Sequence, residues 1–583
     1  MGSDHPLIRR VGIVRTLTPP FSGKATRCGD EPRSERRLDG LTWAFVGLGV
    51  LLRLVRYLLR HPLWGDEAFL AINLLTRDYI NLLRPLDYGQ VSPLLFLWIE
   101  RALIDWLGFS EFSLRLFPTA CSVASVLLFR LVAGRVVRGA PLLLAVAIFS
   151  VSFYPIRHGG EVKAYASDLL VGMLLPAPAI EWWRSRDDRW LWGLAAIVPL
   201  ALALSHPAVF VAGGISLGLS VAVWRSGRRG TRAAYAALNG GLIAAYAALF
   251  ISFTGPQGAS IARDAPAMLS YWASGFPPLG SAWELMRWLI QTHTSHMFAY
   301  PTGGARGASA LTSLAVAAGV VDLARRRQAT LLAICLTPFG LALVASAVRC
   351  YPYGGSTRTM LYLAPAVCLL AGLGAASLLA RLRRPQTYRR FLSATVASLA
   401  GFGLISLGLD IAHPYKTVYD LRARDFARRF WTAQAHGAEL ACLRHDLGIA
   451  FKPSHWQLLR TPLYLCNQAI YSRRRWVSGG PRWDAVSAAR PLRCVLFDEH
   501  PLGKSSPAAW DELPRRDPAL AGWLTSMRSR YTLRSSKTYV VNEGVCRNGI
   551  WFEDRYVVLE FTPTADRSIP TLAEKSTREP IWR

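Results

Sequence analysis

Three short stretches gather side chains able to do chemistry. The first reads Pro62-Leu-Trp-Gly-Asp-Glu-Ala-Phe-Leu-Ala, with Asp66 and Glu67 side by side between Trp64 and Phe69. Adjacent carboxylates point in different directions, so one can face a substrate while a neighbour holds the other. Asp66 and Glu67 are therefore candidate catalytic residues, suited to a general base acting on a substrate delivered from lipid. The plainer reading is that they cap a helix starting there, since acidic residues are favourable at helix N-termini.

The second stretch, Tyr154 to Asp168, puts Arg157, His158 and Lys163 beside Glu161 and Asp168, with Tyr165 as a hydrogen-bond donor. Asp168 lies about one turn inside the following apolar block, where an ionisable group is costly and tends to be functional. A network of Glu161, Lys163 and Asp168 that pins two helices together accounts for the same residues equally well. The third is Arg349-Cys-Tyr-Pro-Tyr-Gly-Gly-Ser-Thr-Arg-Thr, in which Arg349, Tyr351 and Arg358 could wrap a phosphate or sugar around Gly354-Gly355. Alternatively it is a turn whose Arg and Tyr side chains anchor at lipid headgroups. His206, and the pair His293 and His296, lack a partnering carboxylate and read as ordinary loop histidines, so no metal ligands are assigned.

The elements that must position these stretches are apolar. The chain has 583 residues, 52% hydrophobic and 18% charged, against about 25% charged in an average soluble domain, and mean hydropathy is +0.23. Disorder, a collagen-like chain and a small disulfide scaffold are thereby excluded. Apolar blocks about long enough to cross a bilayer run from Leu41 to Leu59 and near 114–134, 140–156, 165–183, 190–205, 207–224, 234–254, 307–324, 329–348, 359–380 and 391–410. The expectation is about eleven transmembrane helices. A net charge of +29 would suggest nucleic acid in a soluble chain. Here the basic residues cluster between blocks, so the partner is the bilayer and not nucleic acid.

Topology follows from those clusters. Arg135/Arg138, Arg184/Arg186/Arg189, Arg225/Arg228/Arg229/Arg232, Arg325/Arg326/Arg327 and Arg381/Arg383/Arg384/Arg389/Arg390 follow alternate blocks and so share one side, the cytoplasm. Loops 60–113, 157–164, 255–306 and 349–358 then face outward, as does everything after 411. The segment 93–109 carries Glu100, Arg101 and Asp105, and is read as a helix along the outer membrane surface. Arg53 and Arg56, in the outer half of the first span, oppose this topology and could snorkel or bind an anionic lipid group.

The expected organisation is a disordered cytoplasmic tail over 1–39, a transmembrane domain over 40–411 with its first outer loop at 60–113, and a soluble extracytoplasmic domain over 412–583. The tail lacks the apolar core and cleavage site of a signal peptide. In the last domain, strands are expected around Glu439-Leu-Ala-Cys-Leu, Cys494-Val-Leu-Phe and Tyr556-Val-Val-Leu-Glu-Phe, with a helix over Asp420 to Gln434, making a small α/β fold. Cys442, Cys466, Cys494 and Cys546 would lie on the oxidising side of a bacterial inner membrane, where two disulfides are expected without a choice among three pairings. Gly372-Leu-Gly374 sits inside a span and reads as helix packing.

The order of these features resembles the GT-C superfamily, membrane glycosyltransferases that use polyprenyl-phosphate sugars and include protein O-mannosyltransferases and the lipid A aminoarabinose transferase. The resemblance is carried by Gly65-Asp66-Glu67-Ala68 after the first span, Asp87-Tyr-Gly-Gln-Val-Ser-Pro-Leu-Leu-Phe-Leu-Trp with Leu107-Gly108, and Ser113-Leu-Arg-Leu-Phe-Pro. The Glu161-Val-Lys-Ala-Tyr-Ala-Ser-Asp loop and Tyr351-Pro-Tyr-Gly-Gly-Ser…Arg358…Ala364-Pro365 also fit. It covers roughly residues 40 to 410 and is most specific over 62–118.

The resemblance implies an all-α polytopic membrane protein acting on the outer face of the inner membrane. It implies inverting transfer of a sugar from a polyprenyl-phosphate donor to an envelope glycan, lipid or protein, with Asp66 as base and Glu67 beside it. Arg157, Lys163, Arg349 and Arg358 are candidates to stabilise the leaving phosphate, and Tyr165, Asp168 and Tyr351 to bind substrate. Family members often carry a basic residue just before the proline of the surface helix, where this chain has Gln90-Val-Ser before Pro93. Some relatives use a divalent metal and others none, which leaves the cofactor open. Two other classes compete: a transporter or flippase of lipid-linked sugars, expected to carry ionisable residues at the midplane on broken helices, and a non-catalytic envelope-assembly protein.

Overall fold

The computed structural model describes residues 33–264, 270–304, 309–433, 439–442, 455–472, 492–501, 518–528, 531–547, 550–564 and 578–579. Two compact units emerge. One comprises the chain up to Leu59, Leu83–Ala102 and Arg115–Ala412; the other comprises Arg60–Leu82, Leu103–Leu114 and the chain from His413.

The first unit is helical and apolar. Among the described residues seven helices are long and apolar enough to cross a membrane: Glu35–Leu58, Glu111–Val136, Ala208–Ser226, Arg229–Arg263, Ala329–Ala347, Thr357–Leu379 and Pro385–Ala412. The pair Ala140–Val151 and Phe153–Gly160, bent by 47°, passes the same test together and makes an eighth if it is a single broken span. These account for eight of the eleven expected blocks. The remaining three make shorter helices. Residues 165–183 form Tyr165–Leu174 and Pro176–Ser185, interrupted where Pro176 has no N–H to donate. The other two, Arg189–Leu204 and Ala310–Arg325, have 16 residues each. At about 1.5 Å per residue they fall short of a ~30 Å hydrocarbon core. Of the expected tail, 1–32 lies outside the described residues, and Arg33 to Asp39 begin the first helix, with Glu35 in its first turn.

Small residues let these helices approach. A Cβ on Gly372 would lie 2.5 Å from the Ala145 backbone nitrogen, and one on Gly214 2.7 Å from Pro338. On Gly319 it would strike the Leu370 carbonyl, and on Gly374 the Ala315 carbonyl, so Ala310–Arg325 and Ala364–Leu379 meet backbone to backbone. Lipid tails supply no hydrophobic drive between helices, so such close packing is what holds them.

The second unit is built on a five-stranded mixed sheet in the order β1-β2-β4-β3-β5, with β1 Glu439–Cys442, β2 Leu492–Pro501, β3 Tyr531–Arg547, β4 Ile550–Pro563 and β5 Arg578–Glu579. The strands β1 and β2 are parallel, while β4 pairs antiparallel with β2 and β3. The three strands and the helix expected from sequence are present, the helix as Val418–Ala433. Added to them are β3 and a helix, His455–Ser472, against which both Val418–Ala433 and Gly65–Thr76 pack. Cys466 is a free, buried thiol whose Sγ donates to the Ala68 carbonyl at 3.8 Å. The two-disulfide expectation therefore fails at Cys466, which packs against a helix of the Asp66 loop instead of another cysteine.

Gly374→Ala is predicted to destabilise the fold by about 1–3 kcal/mol through overpacking, read as a lower unfolding temperature in detergent. Gly408→Ala, with nothing within 4 Å of its added Cβ, should leave that temperature unchanged or raise it, because Ala is the better helix former.

Candidate functional site

In the second unit, Trp64 sits in extended conformation before the helix Gly65–Thr76, so Asp66 and Glu67 occupy its first turn. Glu67 is buried, and its Oε2 accepts from the Trp64 backbone N–H at 3.2 Å. This is half of a capping box; an indole has no acceptor to return the bond. Capping thus explains Glu67, while Asp66 is half-buried at the positive end of the helix dipole. The Lys416 ammonium lies 2.9 Å from the centre of the Trp64 ring, a cation–π contact. Beside it Asp420, almost fully buried, accepts from Thr417 Oγ1 at 2.6 Å and Thr417 N at 3.2 Å. Burial pushes the Asp420 carboxyl up to about 6; the Thr417 bonds and Lys416 oppose the rise, and the Glu67 charge adds to it.

A second network steadies the same loop. Arg60 Nε and Nη2 donate to Glu111 Oε2 at 3.1 and 2.9 Å, and Tyr471 donates to Glu111 Oε1 at 2.8 Å. Arg424 donates to the Arg60 carbonyl at 2.7 Å. Neither Arg424, Lys416 nor Asp420 carries a local sequence signal linking it to the Asp66 loop.

In the first unit the stretch after Tyr154 folds as a tight turn. His158 Nδ1 lies 3.0 Å from Glu161 Oε2, both buried. Tyr154 stacks on the His158 ring at 5.8 Å and Tyr165 meets it edge-on at 5.7 Å. Arg157 lies over Phe153 at 5.3 Å. Lys163 is buried and its Nζ donates to Gln90 Oε1. Asp168 is buried one turn into Tyr165–Leu174, close enough to Tyr351 for its charge to add to burial, which pushes that phenol well up; Tyr165 contributes likewise. The structure thus brings Tyr165, Asp168 and Tyr351 together, with Tyr351 donating to the Thr359 carbonyl at 2.7 Å.

Arg358 is buried, donates to Tyr271 at 3.0 Å and lies over Trp272 at 5.4 Å. Arg349 is exposed, at φ 57°, with its guanidinium 6.0 Å from the Phe276 ring centre. Gly354 and Gly355 are needed for positive φ and for packing onto Thr292 and Gly275. His293 commits both ring nitrogens, to the Leu289 carbonyl at 2.7 Å and to Tyr353 Oη at 2.8 Å, so it ties the end of Ala282–Thr292 to the turn holding Tyr353. Among the described residues no three His, Cys, Asp or Glu side chains are grouped to hold a metal ion, and no step is routed through one. Arg56 pairs with Asp410 at 2.5 Å, and Arg53 bonds Ser122, Gly49 and Ser150 within the spans. Both arginines therefore serve interhelical contacts.

No family model matches the chain, and no curated protein matches it. Among solved structures it is similar to ArnT from Cupriavidus metallidurans in the apo state, with TM-score 0.46 and 13% identity over 90% of this chain and 98% of that one. The same protein bound to undecaprenyl phosphate gives TM-score 0.44 and 12% identity over 89% and 98%. The Archaeoglobus fulgidus oligosaccharyltransferase tethered with an acceptor peptide gives TM-score 0.43 and 12% identity over 73% and 63%.

Asp420 supplies a pH test of the second unit. Its folded value near 6 lies above the ordinary 3.8, so between those values the folded state holds a proton that the unfolded state has released. Stability contributed by the neutral carboxyl is present below about pH 4 and falls as pH rises to about 6, by up to about 3 kcal/mol. Asp420→Asn is predicted to flatten the unfolding temperature across that window.

Proposed function

We propose that the chain is an inverting membrane glycosyltransferase that moves a sugar from a polyprenyl-phosphate donor to an envelope glycan, lipid or protein on the outer face of the inner membrane. The observation that carries this reading is Asp66 at a helix N-terminus, with Glu67 beside it committed to the backbone cap. The two carboxylates thereby differ in role, as a base and its support require.

In this reading Asp66 accepts the proton of the acceptor hydroxyl, and the oxygen attacks the anomeric carbon opposite the phosphate. The bond from that carbon to the phosphate oxygen breaks, and polyprenyl phosphate leaves with the electron pair. Negative charge developing on the phosphate needs preorganised cations. Lys163 and Arg358 are the buried candidates; Arg157 and the exposed Arg349 are assigned weaker parts. Tyr165 and Tyr351 are assigned to substrate contact, and Asp168, a carboxylate unsuited to phosphate, to the sugar. The segment 412–583 is assigned to the extracytoplasmic side.

Transfer from a panel of polyprenyl-phosphate sugars to host envelope extract tests the reading. Wild type is expected to transfer, and Asp66→Asn to lose roughly 10²–10⁴-fold in rate, the usual contribution of a general base, with membrane insertion intact. Full activity in Asp66→Asn would remove it as the base. Wild type inert toward every donor would favour a transporter or an assembly protein.

A further inference from the structure

Resting on the transferase reading, a polar patch in the helical unit narrows what the donor carries. Ser92, Asp168, Ser205 and Gln257 are each at most 7% exposed. Yet Ser92 Oγ, Gln257 Nε2 and His206 Nε2 have no hydrogen-bond partner among the described residues. Buried polar atoms are normally paired.

These groups are linked. Ser92 N–H donates to Gln257 Oε1 at 3.2 Å, and the His206 ring hydrogen-bonds the Ser92 backbone. Ser205 precedes His206, and its side chain hydrogen-bonds the Asp168 carboxyl. Four separate parts of the chain contribute: the segment before Leu94–Leu107, the helix Gly255–Asp264, the turn between Arg189–Leu204 and Ala208–Ser226, and the helix Tyr165–Leu174.

The chemistry of the set is specific. It contains two hydroxyls, an amide donor, a carboxyl and an imidazole, but no Lys or Arg. Burial lowers His206 to about 4, leaving the ring uncharged at neutral pH. Such a set suits the alternating donors and acceptors of ring hydroxyls and disfavours a second anion. Two residues before Ser92, Gln90 accepts from Lys163, so the patch borders the proposed phosphate-binding cation.

We infer that Ser92, Asp168, Ser205, His206 and Gln257 form the pocket for the donor's sugar and select a hydroxyl-rich pyranose that carries no acidic group.

The test is equilibrium binding to the full chain in nanodiscs, with undecaprenyl-phosphate glucose, galactose and mannose, undecaprenyl-phosphate glucuronate, and undecaprenyl phosphate alone. Wild type should bind at least one neutral hexose form about tenfold tighter than the bare lipid, and tighter than the glucuronate. Ser92→Ala and Gln257→Leu should each remove most of that difference while binding the bare lipid as wild type does. Bare-lipid binding also reports that the variants are folded. The inference is overturned if every hexose binds no better than the bare lipid, if glucuronate binds best, or if both variants lose hexose and bare lipid equally. Should wild type bind none of the lipids, the transferase reading falls and this inference with it.

Discussion

A guanidinium within a membrane span has to find its partners inside the protein, and Arg53 shows what that requires. It reaches Gly49 O at 2.8 Å on its own helix, Ser150 O at 3.1 Å and Ser122 Oγ at 2.9 Å on two others. Ser122 in turn donates to Pro155 O at 3.3 Å, and Gly159 packs so closely on Ser122 that a side chain there would clash. The turn holding His158, Glu161 and Lys163 is therefore seated on Arg53. Without water to solvate the charge, an arrangement of the helices that pairs its Nε and Nη1 is favoured, while Nη2 has no hydrogen-bond partner among the described residues.

The same constraint sorts the carboxyls. Glu161 is answered by His158 and Asp410 by Arg56. Glu100 is fully buried in Leu94–Leu107, and neither of its oxygens has a hydrogen-bond partner among the described residues. Burial pushes its carboxyl well above the usual range, favouring the neutral form that such a site tolerates. The helix expected to lie on the membrane surface thus buries one face, with Phe96 stacked obliquely on Phe117 at 5.9 Å. Exposed Trp106 and Leu107 occupy its end.

How much of this is legible in the sequence depends on how local each interaction is. Apolar runs and arginine clusters are local, so the long spans and the strands at Glu439, Cys494 and Tyr556 can be read directly. Span length is less secure, because a proline such as Pro176 and short polar loops divide an apolar run without lowering its hydropathy. The strand β3 was missed because Ser, Lys, Thr and Asn dilute its alternation. Partnerships are the least legible. Lys163 and Gln90 are 73 residues apart, Ser92 and Gln257 165, and Cys466 and Ala68 398. Gln257, in a polar stretch after an apolar helix, had no signal at all. For Asp66 and Glu67 the motif marks both carboxylates alike, and the Trp64 N–H contact distinguishes Glu67 as the cap.

Gln90 and Lys163 show how charge couples two distant positions. Before the proline that precedes Leu94–Leu107, Gln90 offers an amide whose oxygen accepts from the buried Lys163 ammonium. A cation at position 90 would face another cation at low dielectric, where like charges repel far more strongly than in water. A neutral acceptor at 90 and a cation at 163 are therefore one choice and not two independent ones. The amide also fixes the ammonium by a hydrogen bond.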